Sequence, residues 1–263
     1  MPYTPLKPKH MNKNSNTYTF IYAALLVVVV AAVLAYVSES LKPIQQANID
    51  TEKRVSILAS AHLGADIAQT EDKNTYTATL FEKYITRSYL VNSKGEVLEG
   101  DAFSAEMSEQ YKIIRQLPGL SPREQEKLRA SLRLPVFECT LDNGTLVYIV
   151  QTFGQGLWGP LWGYVSVKDD LNTIYGVVFD HKGETPGLGS EIATPAYASQ
   201  FEGKTIFDNG KFVSIAVVKG GARPGDPHGV DAVSGGTITS NGLQDMIHVS
   251  LQEYVPFFTQ KLP

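Results

Sequence analysis

The sequence predicts an α+β protein in which one N-terminal transmembrane helix precedes an exported domain of twisted antiparallel sheet with peripheral helices. Three observations carry this expectation. Thr17 to Ser38 is a stretch of 22 residues without a charge, apolar residues recur at every second position through the middle of the chain, and near the C-terminus they recur at three and four. The 263 residues are 43% hydrophobic and 19% charged, an ordinary globular composition. A formal charge of -4 leaves no basic excess to neutralise a phosphate backbone, which argues against nucleic acid as a partner. The single cysteine, Cys139, cannot close an internal disulfide, and the 5 histidines show neither H-E-x-x-H nor H-x-x-x-H spacing. No metal site is expected, and Cys139 is predicted to be a buried thiol.

As a helix, the uncharged stretch would reach about 33 Å, enough for a hydrocarbon layer. Its valine run, Val27 to Val30, is a mediocre helix former in water, but lipid leaves a spanning segment no other way to satisfy its backbone. The run exceeds a signal-peptide core and no A-x-A follows Val37, which predicts a retained anchor. Lys7, Lys9 and Lys13 precede it without an acid, so the N-terminus is expected in the cytoplasm and the rest outside, with Tyr18, Tyr22 and Tyr36 as interfacial anchors. Inside the span no ionisable side chain marks an ion path.

After the span, residues 39 to about 70 carry Pro43, Ile49, Arg54, Ile57 and Leu58 in a mixed helical pattern that reads as a stalk helix ending near Gly64. Ser121-Pro122-Arg123-Glu124 is a capping box with proline at the first helical position, predicting a short helix to about Arg133. Val136 to Cys139 and Leu146 to Thr152 flank Asp142-Asn143-Gly144 and predict a hairpin. Further strands are expected at Gly163 to Lys168, Thr173 to Asp180 and Lys211 to Lys219. Leu243, Met246, Ile247, Leu251, Tyr254, Val255 and Phe258 predict an amphipathic C-terminal helix with Ser240 or Asn241 as N-cap, kinked or ended by Pro256.

Three glycine-rich segments stand out. Gly154-Gln155-Gly156-Leu157-Trp158-Gly159 is a literal G-x-G-x-x-G, but Pro160 follows at once and Trp162 to Val167 alternates like a strand. A dinucleotide fingerprint needs a helix there, so nicotinamide binding is not expected. Trp158 and Trp162 read either as core residues or as walls for a flat aromatic ligand. His181 to Gly189 reads as a turn, or as a rigid loop offering amides and the Glu184 and Thr185 side chains to a polar heterocycle. From Lys219 to Gly242 there are seven glycines in 24 residues, ending in hydroxyls at a helix start, where unsatisfied amides favour an anion such as phosphate.

At these residues the chain resembles the flavin-binding subunits of redox-driven bacterial membrane complexes, in particular the NqrC family of the sodium-translocating NADH:quinone oxidoreductases. The resemblance rests on G-x-G-L-W-G, H-x-x-E-T-P-G-L-G and D-x-x-S-G-x-T-x-T-S, in that order. It implies FMN held through a phosphoester to Thr237 by a separate flavin transferase, within Ser234, Gly235, Gly236 and Thr239. The pattern departs at Gly236, where alanine is usual. The flavin ring is then expected between Leu157, Trp158 and Gly159 on one side and Glu184, Thr185, Leu188 and Gly189 on the other, with Lys219 or Arg223 as counter-charge.

No residue is implied to be catalytic, because the flavin does the redox work. The resemblance implies an electron relay that does not itself bind NADH, in an assembly of six subunits in the bacterial inner membrane that couples NADH oxidation and ubiquinone reduction to sodium export. The implied organisation is a cytoplasmic segment 1–16, a transmembrane helix 17–38, a stalk and periplasmic α/β segment 39–135 and an FMN-binding domain 136–263. The alternatives are the homologous RnfG flavoprotein of the ferredoxin:NAD-type electron-transport complex, a non-redox anchored periplasmic binding module, and a stand-alone periplasmic reductase.

Overall fold

The computed structural model describes residues 15–260. Lys7, Lys9 and Lys13, and with them nearly all of segment 1–16, lie outside the described residues. In chain order the elements are α1 (Asn16–Ser60), α2 (Lys73–Tyr84), β1 (Ile85–Val91), β2 (Val97–Leu98), α3 (Met107–Ile114), α4 (Pro122–Arg129), β3 (Leu134–Thr140), β4 (Leu146–Gln155), β5 (Pro160–Lys168), β6 (Ile174–His181), α5 (Pro195–Ala198), β7 (Phe207–Asp208), β8 (Lys211–Phe212), β9 (Ala216–Val218), β10 (Gly229–Asp231) and α6 (Thr237–Gln260). The chain divides into two units, Met1–Asp50 and Thr51–Pro263.

The described part of the first unit is helical. It holds an 18-residue window with mean hydropathy 2.8, none of it buried, so it is long and apolar enough to cross a membrane. The helix passes through Pro43, so no break separates the expected membrane helix from the expected stalk. One proline removes a single backbone bond, a loss an exposed helix survives.

In the second unit a six-stranded antiparallel sheet runs in the order β2-β1-β3-β4-β5-β6, taking strands from both sides of residue 135. Both faces are covered, which is why β3 is buried almost throughout instead of alternating with solvent. Val136, Tyr148, Val150 and Val165 join Leu243, Met246, Ile247 and Tyr254 of α6 in one core. Phe137, Cys139, Val147, Ile149 and Tyr164 point the other way into a second core with Ile57, Leu58 and Tyr84. Successive strand residues thus serve opposite layers.

The predicted hairpin is β3–β4, with Gly144 at φ +81 in its turn. The capping box also forms: the Ser121 amide donates to Glu124 Oε2 at 3.0 Å, although α4 stops at Arg129, short of Arg133. Other boundaries need correction. The first helix ends at Ser60, and His62 beyond it sits at φ +58, turning the chain away. The strand expected over Lys211 to Lys219 is two strands in two small sheets, broken where Ser214 adopts φ +63. α6 starts at Thr237, so neither Ser240 nor Asn241 is its N-cap, and Pro256 does not end it. Ser240 instead accepts the Val233 amide at 3.0 Å, tying the preceding loop to the helix.

Candidate flavin site

Three loops converge where α6 begins. The first is the hairpin turn Gly156-Leu157-Trp158-Gly159 between β4 and β5, closed by the Gly156 amide donating to the Gly159 carbonyl at 2.8 Å. β5 begins at Pro160, so no helix follows the G-x-G-x-x-G. Trp158 is 68% exposed, which overturns the reading of it as a core residue, while Trp162 is half-buried.

The second loop leaves β6 at His181. Thr185-Pro186-Gly187-Leu188 is a tight turn with the Leu188 amide donating to the Thr185 carbonyl at 3.1 Å and Gly187 at φ +74. Proline followed by a glycine of positive φ is the type II arrangement. Ahead of the turn, Glu184 is only 4% exposed. Its Oε1 accepts the Trp158 amide at 3.0 Å and its Oε2 accepts the Thr239 hydroxyl at 2.5 Å. The Glu184 amide donates to His181 Nδ1 at 3.1 Å.

The third loop runs from β9 to α6. β9 and β10 pair in parallel, and Asp231 Oδ1 accepts the Ala222 amide at 2.8 Å, folding the Lys219–Ala222 turn back toward the helix. Gly220 and Gly221 lie at φ +85 and +102, conformations that a side chain would strain. Gly235, at φ +74, faces Leu188: a Cβ there would stand 2.7 Å from Leu188 Cδ2. Ser234-Gly235-Gly236 therefore passes close under the Leu188 turn before α6 starts.

Thr237 sits between two clefts. One, of about 240 Å³, is lined by Leu157, Glu184, Thr185, Leu188 and Gly189 with Gly235 to Thr239. The other, of about 430 Å³, is lined by Lys219, Gly220, Gly221, Asp231, Ser234 and Thr237, among others. Gly159 lies beyond the first cleft, facing Lys182. Thr237 and Lys219 are exposed, whereas Thr239 is buried, so the two threonines are not equivalent. Leu157, Trp158, Leu188 and Ile238 are all more than 40% exposed. Two members of the site escape sequence reasoning. Ile238 carries no motif signal, and the use of Asp231 as a loop anchor depends on a contact nine residues back in the chain.

The matching family model, an FMN-binding domain, covers residues 156–252 and so takes in all three loops. The NqrC protein of the Na(+)-translocating NADH-quinone reductase of Vibrio anguillarum is 32% identical over 89% of both chains, and that of Yersinia pestis is 32% identical over 93% of this chain and 92% of its own. The chain belongs to the NqrC family of the Na(+)-translocating NADH-quinone reductases. Solved structures agree. The NqrC crystal structure from Parabacteroides distasonis shares 40% identity at a TM-score of 0.69, covering 83% of this chain and 97% of that one. Shewanella oneidensis NqrC shares 31% at 0.62, covering 81% of this chain and 97% of that one. The described domain of this family member is α+β, joined to one N-terminal apolar helix that makes the protein membrane-associated.

Proposed function

We propose that this chain is an electron-relay subunit of a Na(+)-translocating NADH:quinone reductase, carrying FMN as a phosphoester on Thr237. Membership of the NqrC family supports a non-catalytic electron-transfer role in a multisubunit redox enzyme. The observation that carries the attachment site is the contrast between an exposed Thr237 and a buried, hydrogen-bonded Thr239.

The residues fit the group. A flavin needs an apolar wall, an anion site and backbone that a ring can approach. Leu157, Trp158 and Leu188 offer the first, the amides at the start of the 24-residue α6 and the exposed Lys219 the second, and Gly187 and Gly220, with open space where a Cβ would stand, the third. Bound flavin would supply the electron transfer itself. This chain's residues hold, orient and shield it: Thr237 tethers, Lys219 or Arg223 balances charge, and the Leu157–Trp158 turn and the Thr185–Gly189 loop flank the ring. A tether keeps the cofactor at high effective concentration in a compartment without a flavin pool.

In this reading Thr17–Ser38 spans the inner membrane once. Segment 1–16 lies in the cytoplasm, 39–135 forms the stalk and a periplasmic α/β segment, and 136–263 forms the FMN-binding domain. Partners are the other membrane subunits of an enzyme of six subunits that couples NADH oxidation and ubiquinone reduction to sodium export, with a flavin transferase for maturation. NADH binds elsewhere in the complex. The test is ultraviolet fluorescence of the full-length protein in a denaturing gel after expression with the transferase, followed by peptide mass mapping. A fluorescent band whose flavin maps to Thr237, lost in Thr237→Ala and kept in Thr239→Ala, is the expected result; a dark band of unmodified mass sinks the reading.

A further inference from the structure

Glu184, on the second loop, bonds the β4–β5 turn and the first turn of α6 at once. A buried carboxylate with two acceptor oxygens can satisfy several donors, and here they come from different places: a backbone amide of the β4–β5 turn and a hydroxyl in the first turn of α6. The surrounding glycines are shaped around it. A Cβ on Gly156 would fall 2.5 Å from Glu184 Oε1, and one on Gly189 would fall 2.6 Å from Glu184 Oε2 and 2.5 Å from Thr239 Oγ1. Those two glycines admit the carboxylate and its bond to Thr239.

We propose that Glu184 is the positioning residue of the flavin site: it locks the Leu157–Trp158 turn to the first turn of α6 and withholds the Thr239 hydroxyl, leaving Thr237 as the acceptor. This rests on the flavin reading above and deepens it. During attachment Thr237 Oγ forms a bond to phosphorus as the pyrophosphate bond of a flavin adenine dinucleotide breaks, AMP leaves and the hydroxyl proton passes to solvent. Thr239, whose proton is already donated to Glu184 and whose oxygen is buried, cannot take that part. The same carboxylate fixes the Leu157–Trp158 turn relative to the first turn of α6, and would so hold a bound flavin against Trp158 in one arrangement.

The experiment uses the full-length chain expressed with the flavin transferase, comparing wild type with Glu184→Ala, Glu184→Gln and Thr239→Val. Flavin content and attachment site are read by mass mapping, and the emission yield of bound flavin is read on the folded protein, since an adjacent indole quenches flavin emission. Thr239→Val is expected to keep its flavin on Thr237. Glu184→Ala is expected to lose single-site attachment, with part of the flavin on Thr239 or a lowered content, and to emit more strongly. Glu184→Gln keeps the volume and one acceptor and should fall between, and it decides the matter if Glu184→Ala does not fold. Flavin on Thr237 alone with unchanged emission in a folded Glu184 variant overturns the proposal while leaving the flavin reading intact. A wild type without flavin overturns both.

Discussion

The hydroxyls of Thr237 and Thr239 lie on the same helix, yet one faces open clefts and the other is committed to a buried carboxylate. That difference has an energetic reading. Thr239→Val leaves Glu184 Oε2 without its donor and is expected to cost about 1–3 kcal/mol in urea unfolding, while Thr237→Val on the unmodified protein costs little. Gly236 is the position at which the motif resemblance expects alanine. A Cβ there would meet Val233 Cγ1 at 3.2 Å and the Gly189 amide at 3.3 Å, so the neighbours need give only slightly. Gly236→Ala should therefore fold, with a stability change under about 1 kcal/mol by chemical denaturation and flavin retained. Cys139 is fully buried, and burial pushes its thiol up to about 12. At pH near 8, thiol alkylation should then be negligible in the native protein and complete after unfolding.

At the level of elements, α6 connects site and core. Its first turn carries Thr237 and Thr239, and its middle packs on β4, where the glycines of both elements allow close approach. A Cβ on Gly242 would lie 2.3 Å from the Gln155 carbonyl oxygen. Gly242→Ala is expected to push the helix from the strand at a cost of about 1–3 kcal/mol, visible as a lowered melting temperature, and to reduce flavin content because the tether moves with the helix. Further along α6, Glu253 is buried and pairs with Arg129 of α4 at 3.3 Å. Burial outweighs that arginine and raises the Glu253 carboxyl above the usual range. A raised carboxyl stabilises the fold at low pH, and the contribution is lost as pH rises through its folded-state value. Urea unfolding from about pH 4 to 7 should show this decline in wild type and a flatter profile in Glu253→Gln.

For the whole molecule, the division after Asp50 separates the apolar stretch of α1, which packs against nothing among the described residues, from a unit with two cores. A fragment beginning at Thr51 should be soluble and melt cooperatively, whereas the full chain should partition into membranes and need detergent; aggregation of the fragment would show that the second unit depends on the first. Protease added to the outside of spheroplasts should digest the domain and spare residues 1–16 if the proposed orientation holds.

The sequence by itself determined the elements whose physics is local. An uncharged apolar run has one solvent that suits it, a capping box closes within four residues, and Asp142-Asn143-Gly144 or Pro186-Gly187 turns the chain without distant help. The three glycine motifs were legible for the same reason. Tertiary structure decided what depends on contacts far apart in the chain. β1 went unread because its burial does not alternate, three exposed residues in a row preceding three buried ones, and its pairing partner β3 lies far along the chain. The boundary of α6 moved to Thr237 because Ser240 bonds to Val233 instead of capping. Glu184, equally compatible with a loop or a ligand contact in the sequence, is assigned to Thr239 and Trp158 only by a fold that brings residues 55 and 26 positions away within hydrogen-bond reach. Short-range stereochemistry is written in adjacent residues, whereas which hydroxyl stays free is set by long-range burial.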